Sequence, residues 1–221
     1  MEVSSGSDYT RYWLDYFLSI QGHELFCEVE ESYILDRFNL TGLNTEVEHF
    51  HYALQLITDS LEEEIEDANL RHEIEKSAVK LYGLIHARYI ITNRGLARMV
   101  EKFRRGDFGK CPRVLCQRQH VLPVGLTDVP FQKSVRLYCP RCEDIYFSSN
   151  KKHNCIDGAF FGTTFPHLLL QVYPQFIPIR TQERYVPKIF GFKIHEIAEQ
   201  HRKQDEIYKE NMKRIEAAPE E

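Results

Sequence analysis

The stretch Cys111-Pro112-Arg113-Val114-Leu115-Cys116, together with Cys139-Pro140-Arg141-Cys142, decides the architecture of this 221-residue chain. Thiolates two to four residues apart can hold one tetrahedral ion, and a second pair a hairpin away can close the site. The 22 residues between the pairs slightly exceed the usual zinc-site spacing. The pattern predicts a structural zinc ribbon that binds one zinc ion through Cys111, Cys116, Cys139 and Cys142. A closed four-thiolate site leaves no position for a reactive water molecule, so we expect it to support architecture rather than hydrolysis.

In each cysteine pair the first cysteine is followed by proline and then arginine. Proline fixes φ and suits a tight turn in which backbone N–H groups face the thiolates. Arg113 and Arg141 are placed to offset part of the negative charge of four thiolates around one zinc ion. The alternative is four unrelated buried cysteines. Of the two remaining cysteines, Cys27 is expected to be a small buried hydrophobic residue, and Cys155 forms with His153 a weaker candidate ligand pair.

The composition is typical of a globular protein, with 43% hydrophobic residues and a net charge of −5. No apolar run reaches the length of a membrane span, and the first eight residues lack the features of a signal peptide. We therefore expect a cytoplasmic and nuclear protein without a membrane partner. Paired cysteines in a reducing compartment favour a metal over disulfides.

Charge is distributed unevenly along the chain. Residues 1–101 contain 8 Lys/Arg and 19 Asp/Glu, whereas residues 102–152 contain 11 and 4. Blocks of opposite charge this large suggest contacts between subunits or with charged partners. The most acidic stretch, residues 59–67, is expected to be a solvated surface that can also bind polyamines or basic peptides; its carboxylates are Asp59, Glu62, Glu63, Glu64, Glu66 and Asp67.

Periodicity predicts an α+β fold: a mainly α-helical N-terminal domain, a small antiparallel-β zinc ribbon and a C-terminal extended or hairpin tail. The predicted domains are residues 1–105, 106–160 and 161–221. An apolar stripe at helical spacing, residues 74–89, indicates a long helix, and Asn93 is a candidate N-cap for the next one. The C-terminal residues from Glu196 are predicted to form a helix of mixed charge.

No set of residues indicates catalysis. Asp107-Phe108-Gly109 matches the magnesium-binding triplet of protein kinases, but the phosphate loop, the strand lysine and the catalytic loop are absent from the sequence. No zinc-protease motif, nucleophile elbow or P-loop is present either. We therefore expect a protein that is not an enzyme.

Several long strings resemble the regulatory beta subunit of casein kinase II. They span most of the chain and comprise residues 38–43 (FNLTGL), 81–89 (LYGLIHARY), 106–113 (GDFGKCPR), 157–163 (DGAFFGT) and 191–195 (GFKIH). The resemblance implies a non-catalytic subunit that dimerises through its zinc ribbon. It also implies that the dimer holds two catalytic alpha subunits in a tetramer and modulates their stability and their choice of protein substrates.

The resemblance also assigns residues. The zinc ligands correspond to the four paired cysteines, and the dimer interface to Pro112, Val114, Ile145 and Tyr146. The contact with the kinase subunit corresponds to Phe190 and Phe192, with Leu168 as support. Because Phe190 and Phe192 are two residues apart, an extended segment would place both side chains on one face. Ser5, three residues before Asp8, corresponds to a phosphorylation site.

Two other interpretations compete with this one. The basic ribbon region would suit a zinc-ribbon protein that binds nucleic acid, but the acidic front half would repel phosphates, so nucleic acid is not expected as a partner. For Phe190 and Phe192, the alternative is that they belong to the protein's own core.

Overall fold

The computed structural model describes residues 12–61, 65–179 and 186–216. Within these ranges the chain forms two compact units, the first reaching residue 179 and the second beginning at residue 186. The eight helices among the described residues are α1 Trp13–Ser19, α2 Glu31–Ile34, α3 Leu43–Glu46, α4 Phe50–Ile57, α5 Ala68–Tyr89, α6 Asn93–Arg105, α7 Phe165–Val172 and α8 Glu196–Glu216. None of them is long and apolar enough to cross a membrane.

The long helix α5 organises the first unit. The side chain of Asp67 caps its start by accepting a hydrogen bond from the backbone N–H of Asn69 at 2.9 Å. The predicted apolar stripe is confirmed, since its members are almost fully buried: Ile74, Ala78, Leu81, Tyr82, Ile85 and Tyr89. Gly83 lets Phe160 approach the helix closely, because a Cβ at this position would lie 2.4 Å from the Phe160 ring.

Helix α6 leads directly to the cysteine region. The N-cap of this helix is Thr92, whose side chain accepts a hydrogen bond from the Gly95 backbone N–H at 3.2 Å. The predicted N-cap, Asn93, was therefore wrong by one residue. The apolar face of α6 is buried as predicted, and its residues are Leu96, Met99, Val100 and Phe103. Gly106 ends the helix with a φ of 82°, a conformation that favours glycine.

The ribbon is a three-stranded antiparallel sheet of β1 Leu122–Val124, β2 Arg136–Cys139 and β3 Asp144–Tyr146, in the order β1-β2-β3. Leu122 pairs with Tyr138, and Leu137 pairs with Tyr146. One hydrophobic core runs from the helices through buried residues of β1 and β2. The helices, this small sheet and a C-terminal hairpin confirm the predicted α+β fold class.

The second unit contains a two-stranded hairpin, β4 Lys188–Ile189 and β5 Phe192–Lys193, followed by α8. Phe190 and Gly191 form the two-residue turn, with φ values of 47° and 87°. The expectation that Phe190 and Phe192 lie in one extended strand was therefore wrong, since Phe190 occupies the turn. The predicted charged helix is confirmed as far as Glu216 and contains ion pairs such as Arg214–Glu210 at 2.7 Å.

Candidate metal centre and docking surfaces

The four paired cysteines converge at one end of the ribbon. Cys111 follows α6, Cys116 ends a 3₁₀ turn, Cys139 ends β2 and Cys142 lies in the connection to β3. Their Sγ atoms all lie within 4.8 Å of one another. Among the described residues they form the one cluster of three or more His, Cys, Asp or Glu that could hold a metal ion. The first three cysteines are buried and Cys142 is half-buried.

The separations fit a tetrahedral ion better than disulfides. Zn–S bonds of about 2.3 Å place tetrahedral sulfur atoms about 3.8 Å apart. The Sγ atoms of Cys111 and Cys142 are 3.9 Å apart, whereas a disulfide would bring two sulfurs to about 2 Å. None of the six cysteines is in a disulfide. Four thiol donors at this spacing are the ligand set of a structural zinc site.

Backbone N–H groups face the sulfurs, as the Cys-Pro-Arg turns predict. The N–H of Arg113 is directed to the Cys111 sulfur, and the N–H groups of Arg141 and Cys142 to the Cys139 sulfur. The chain reverses after the second pair through a hydrogen bond from the Glu143 N–H to the Cys139 carbonyl at 2.8 Å. Turns of this kind direct backbone N–H groups toward the sulfur atoms that would bind the ion.

Burial disfavours the charged form of three of the thiols. It raises the pKa of Cys111 and of Cys116 to about 11, and that of Cys139 to about 12. Burial also acts on Cys142, but hydrogen bonds from Tyr146, Cys139 and Cys116 outweigh it and lower the pKa to about 7. Four neighbouring thiolates, three of them buried, therefore need a cation, which a divalent metal would supply on binding.

The two arginines of the motifs differ in what they contact. The Arg113 guanidinium interacts with the Cys142 sulfur, in agreement with its predicted role. Arg141 instead donates to the Cys116 carbonyl at 3.3 Å and to the Gln117 side chain at 3.1 Å. Its Nε is buried without a hydrogen-bond partner among the described residues. Arg141 therefore braces the loop of the first pair.

The two remaining cysteines stand apart from this cluster. Cys27 is buried beside His86, and burial raises its thiol pKa to about 12, as expected for a small core residue. His86 donates through Nδ1 to the Phe160 carbonyl at 2.8 Å and accepts from the Cys27 backbone N–H through Nε2 at 3.1 Å. His153 is buried and bonded to Ser148, whereas Cys155 is exposed, so they share no site.

The ribbon presents apolar side chains beside the cysteines. Val114 is 89% exposed, and Ile145 and Pro112 are exposed as well. Tyr146 differs, because its ring is half-buried against the core and its hydroxyl lies 3.3 Å from the Cys142 sulfur. Phe147 is also exposed, and the Arg136 guanidinium lies 3.8 Å from its ring centre. Phe147 is not among the residues predicted for this surface.

Among the described residues of the second unit, the tip of the hairpin is the most exposed aromatic surface. Phe190 is 97% exposed and Phe192 is 79% exposed. Neither side chain belongs to the buried core, which excludes the alternative assignment of these rings. Leu168, predicted to support them, is half-buried on α7 and packs on the core of the first unit.

Known proteins that are similar to most of this chain belong to a single family. The family model described as casein kinase II regulatory subunit matches residues 12–193. The chain belongs to this family. The casein kinase II subunit beta of Schizosaccharomyces pombe is 54% identical over 210 residues, which cover 95% of this chain and 90% of that protein. The beta′ subunit of Saccharomyces cerevisiae is 50% identical over 89% of this chain and 77% of that protein.

Family membership confirms the prediction of a regulatory subunit that is not itself an enzyme. None of these comparisons supports the alternative of a nucleic-acid-binding protein. The Asp107-Phe108-Gly109 triplet forms a turn after α6 in this regulatory subunit. Asp107 pairs with Arg105 at 2.8 Å and with Lys102 at 3.5 Å, and Phe108 is buried. The triplet thus has a structural role.

The acidic stretch of the regulatory subunit is only partly described. Glu62, Glu63 and Glu64 lie outside the described residues, as does Ser5. Asp59 accepts a hydrogen bond from the backbone N–H of Trp13 at 3.0 Å. Two of the carboxylates therefore hold backbone N–H groups in place: Asp59 binds the distant N–H at the start of α1, and Asp67 caps the start of α5.

Proposed function

We propose that this regulatory subunit is a zinc-dependent dimer that docks catalytic alpha subunits of casein kinase II through its C-terminal hairpin. Zinc is bound by Cys111, Cys116, Cys139 and Cys142. The observation that carries the proposal is the four-thiol cluster, with its ordered turns and tetrahedral spacing, in a member of this family.

The dimer contact is formed by the apolar ribbon surface, Pro112, Val114, Ile145 and Tyr146. A side chain as apolar and exposed as Val114 gains free energy when a second copy covers it. This surface is built on the same turns that hold the cysteines, so the ion keeps the interface in shape. Metal binding free energy is largely folding free energy in domains this small.

The kinase contact is formed by Phe190 and Phe192, with Leu168 in support. Aromatic side chains at a hairpin tip are suited to fill a groove of a partner, because each ring buries a large apolar area. A dimer with one hairpin per chain would bring two catalytic subunits into a tetramer. Through this tetramer the subunit modulates kinase stability and the choice of protein substrates in the cytoplasm and nucleus.

The acidic stretch provides a further contact, with polyamines or basic segments of substrates. Its charge supports this assignment, and exposed charge pairs of this kind are sensitive to salt. Ser5 is proposed as a phosphorylation site, where a phosphate group would add further negative charge to the acidic N-terminal part of the chain.

The test of the zinc dimer is Cys139→Ser, because Cys139 is a fully buried member of the cluster. The variant should lose the metal, measured by elemental analysis, and should elute as a monomer that retains the circular dichroism of the helices. Cys155→Ser, which removes an exposed thiol outside the cluster, is the matched control and should retain both metal and dimer. A Cys139→Ser variant that stays dimeric without zinc would contradict the proposed role of the ion.

A further inference from the structure

Tyr146 makes a contact that an interface residue does not need. It lies at the end of β3 opposite Leu137 of β2, four residues after Cys142. Its hydroxyl lies 3.3 Å from the Cys142 sulfur, and its ring packs against the core. The neighbouring interface residue Ile145 points its side chain into solvent instead. Packing alone would be satisfied by phenylalanine, so the hydroxyl requires a separate explanation.

The direction of this hydrogen bond follows from the chemistry of the sulfur. A metal-bound cysteine is a thiolate, which has no hydrogen to donate. The phenol of Tyr146 must therefore be the donor and the Cys142 sulfur the acceptor. The Asp144 backbone N–H and the Arg113 guanidinium face the same sulfur. Three donor groups therefore face the sulfur of Cys142, the least buried of the four ligands.

We infer that Tyr146 is a positioning residue of the metal centre, which holds the Cys142 thiolate in its coordinating orientation and ties it to the dimer surface. The inference rests on the proposed zinc site. Groups that hydrogen-bond to metal ligands fix their orientation, and their loss typically lowers metal affinity about 10–100-fold. Since Cys142 is the ligand most open to solvent, its release is the natural first step of zinc loss. A donor on this sulfur slows that step.

The experiment compares the full-length zinc-loaded protein with its Tyr146→Phe variant. Zinc transfer to a coloured chelator gives the rate of loss and the affinity, and sedimentation gives the dimer population. We expect the variant to bind zinc about 10–100-fold more weakly and to lose it faster. Tyr208→Phe, which removes a hydroxyl from an exposed tyrosine of α8, is the control and should behave as wild type.

Cobalt substitution separates a hydrogen bond to sulfur from a general loosening of the ribbon. Removal of a donor makes the thiolate more electron-rich, so the sulfur-to-cobalt charge-transfer band of Tyr146→Phe should move to longer wavelength. If the variant binds and releases zinc as the wild-type protein does, the inference about Tyr146 is overturned, but the proposed function is not. Faster zinc loss with an unmoved band would also overturn it, since the role would then be packing. A wild-type protein that binds no zinc would overturn the proposed function together with this inference.

Discussion

Replacement of Phe190 by asparagine separates the effect of this residue on hairpin stability from its effect on binding to the kinase. Phe190 and Gly191 both have positive φ values, 47° and 87°. Two-residue turns of this kind favour Asn-Gly, whereas a side chain other than glycine in the left-handed region costs about 1–2 kcal/mol. Asparagine is the residue that tolerates this conformation best after glycine, so Phe190→Asn should leave the hairpin as stable as wild type or more stable.

The expected loss of binding follows from exposure. Phe190 is 97% exposed in the free protein, so its removal takes nothing from the core. Full burial of a phenylalanine side chain contributes about 1.5–3 kcal/mol. At about 1.4 kcal/mol per tenfold change, the variant should bind the catalytic subunit roughly 10–100-fold more weakly. Phe192→Ala, at a position that is 79% exposed, should weaken binding by about thirtyfold or more.

The assay is titration calorimetry against the catalytic subunit, with a thermal melt of the same sample. Phe38→Ala is the matched control, since Phe38 is 88% exposed but lies in the first unit. It should retain wild-type affinity. A folded Phe190→Asn variant that binds the kinase as tightly as wild type would refute the docking assignment, and a lowered melting temperature would refute the argument from exposure.

Three further predictions test other parts of the molecule. Replacement of Glu62, Glu63 and Glu64 by glutamine should barely change the melting temperature but should weaken salt-sensitive polyamine binding measured by calorimetry; a large drop in melting temperature would show that these carboxylates are paired. The purified chain should transfer no phosphate from labelled ATP, and labelling that persists after removal of all kinase but disappears in Asp107→Ala would contradict this expectation. Burial lowers the pKa of His86 from 6.5 to about 4, so the unfolded chain binds a proton that the folded chain excludes, and the free energy of unfolding should fall as the pH drops from 6.5 to 4. Urea unfolding should show a smaller fall in His86→Gln, and an equal fall would place the effect elsewhere.

Much of the fold is predictable because its determinants are local. The apolar stripe of α5 and the cysteine spacing each act within a few turns of chain, so periodicity and motif rules suffice for them. The boundaries are less predictable. Thr92 and Asn93 are both good capping residues, and only the backbone dihedral angles decide that Thr92 is the cap.

The hairpin shows that the docking assignment of Phe190 and Phe192, which stays a prediction, was argued from a conformation that the structure does not have. The alternation of Phe190 and Phe192 favours a strand, whereas Gly191 between them is a signal for a turn. A bulky residue with positive φ is uncommon, and such strain is often retained where a side chain has a function. The conformation of Phe190 therefore strengthens its assignment as a docking residue, although not for the reason that the alternation suggests.

Tyr146 illustrates a dependence that no sequence pattern reveals, because it links two functions through one side chain. If its ring lies in the dimer interface while its hydroxyl holds the Cys142 thiolate, zinc binding and dimerisation must be coupled. Such coupling is reciprocal: the factor by which zinc strengthens the dimer equals the factor by which dimerisation strengthens zinc binding. Zinc affinity should therefore rise with protein concentration across the range where dimers form. In Tyr146→Phe this rise should shrink, because the ring still senses the partner subunit but no longer reaches the sulfur. Equal concentration dependence in both proteins would mean that the ribbon turns, rather than this hydroxyl, connect the ion to the interface.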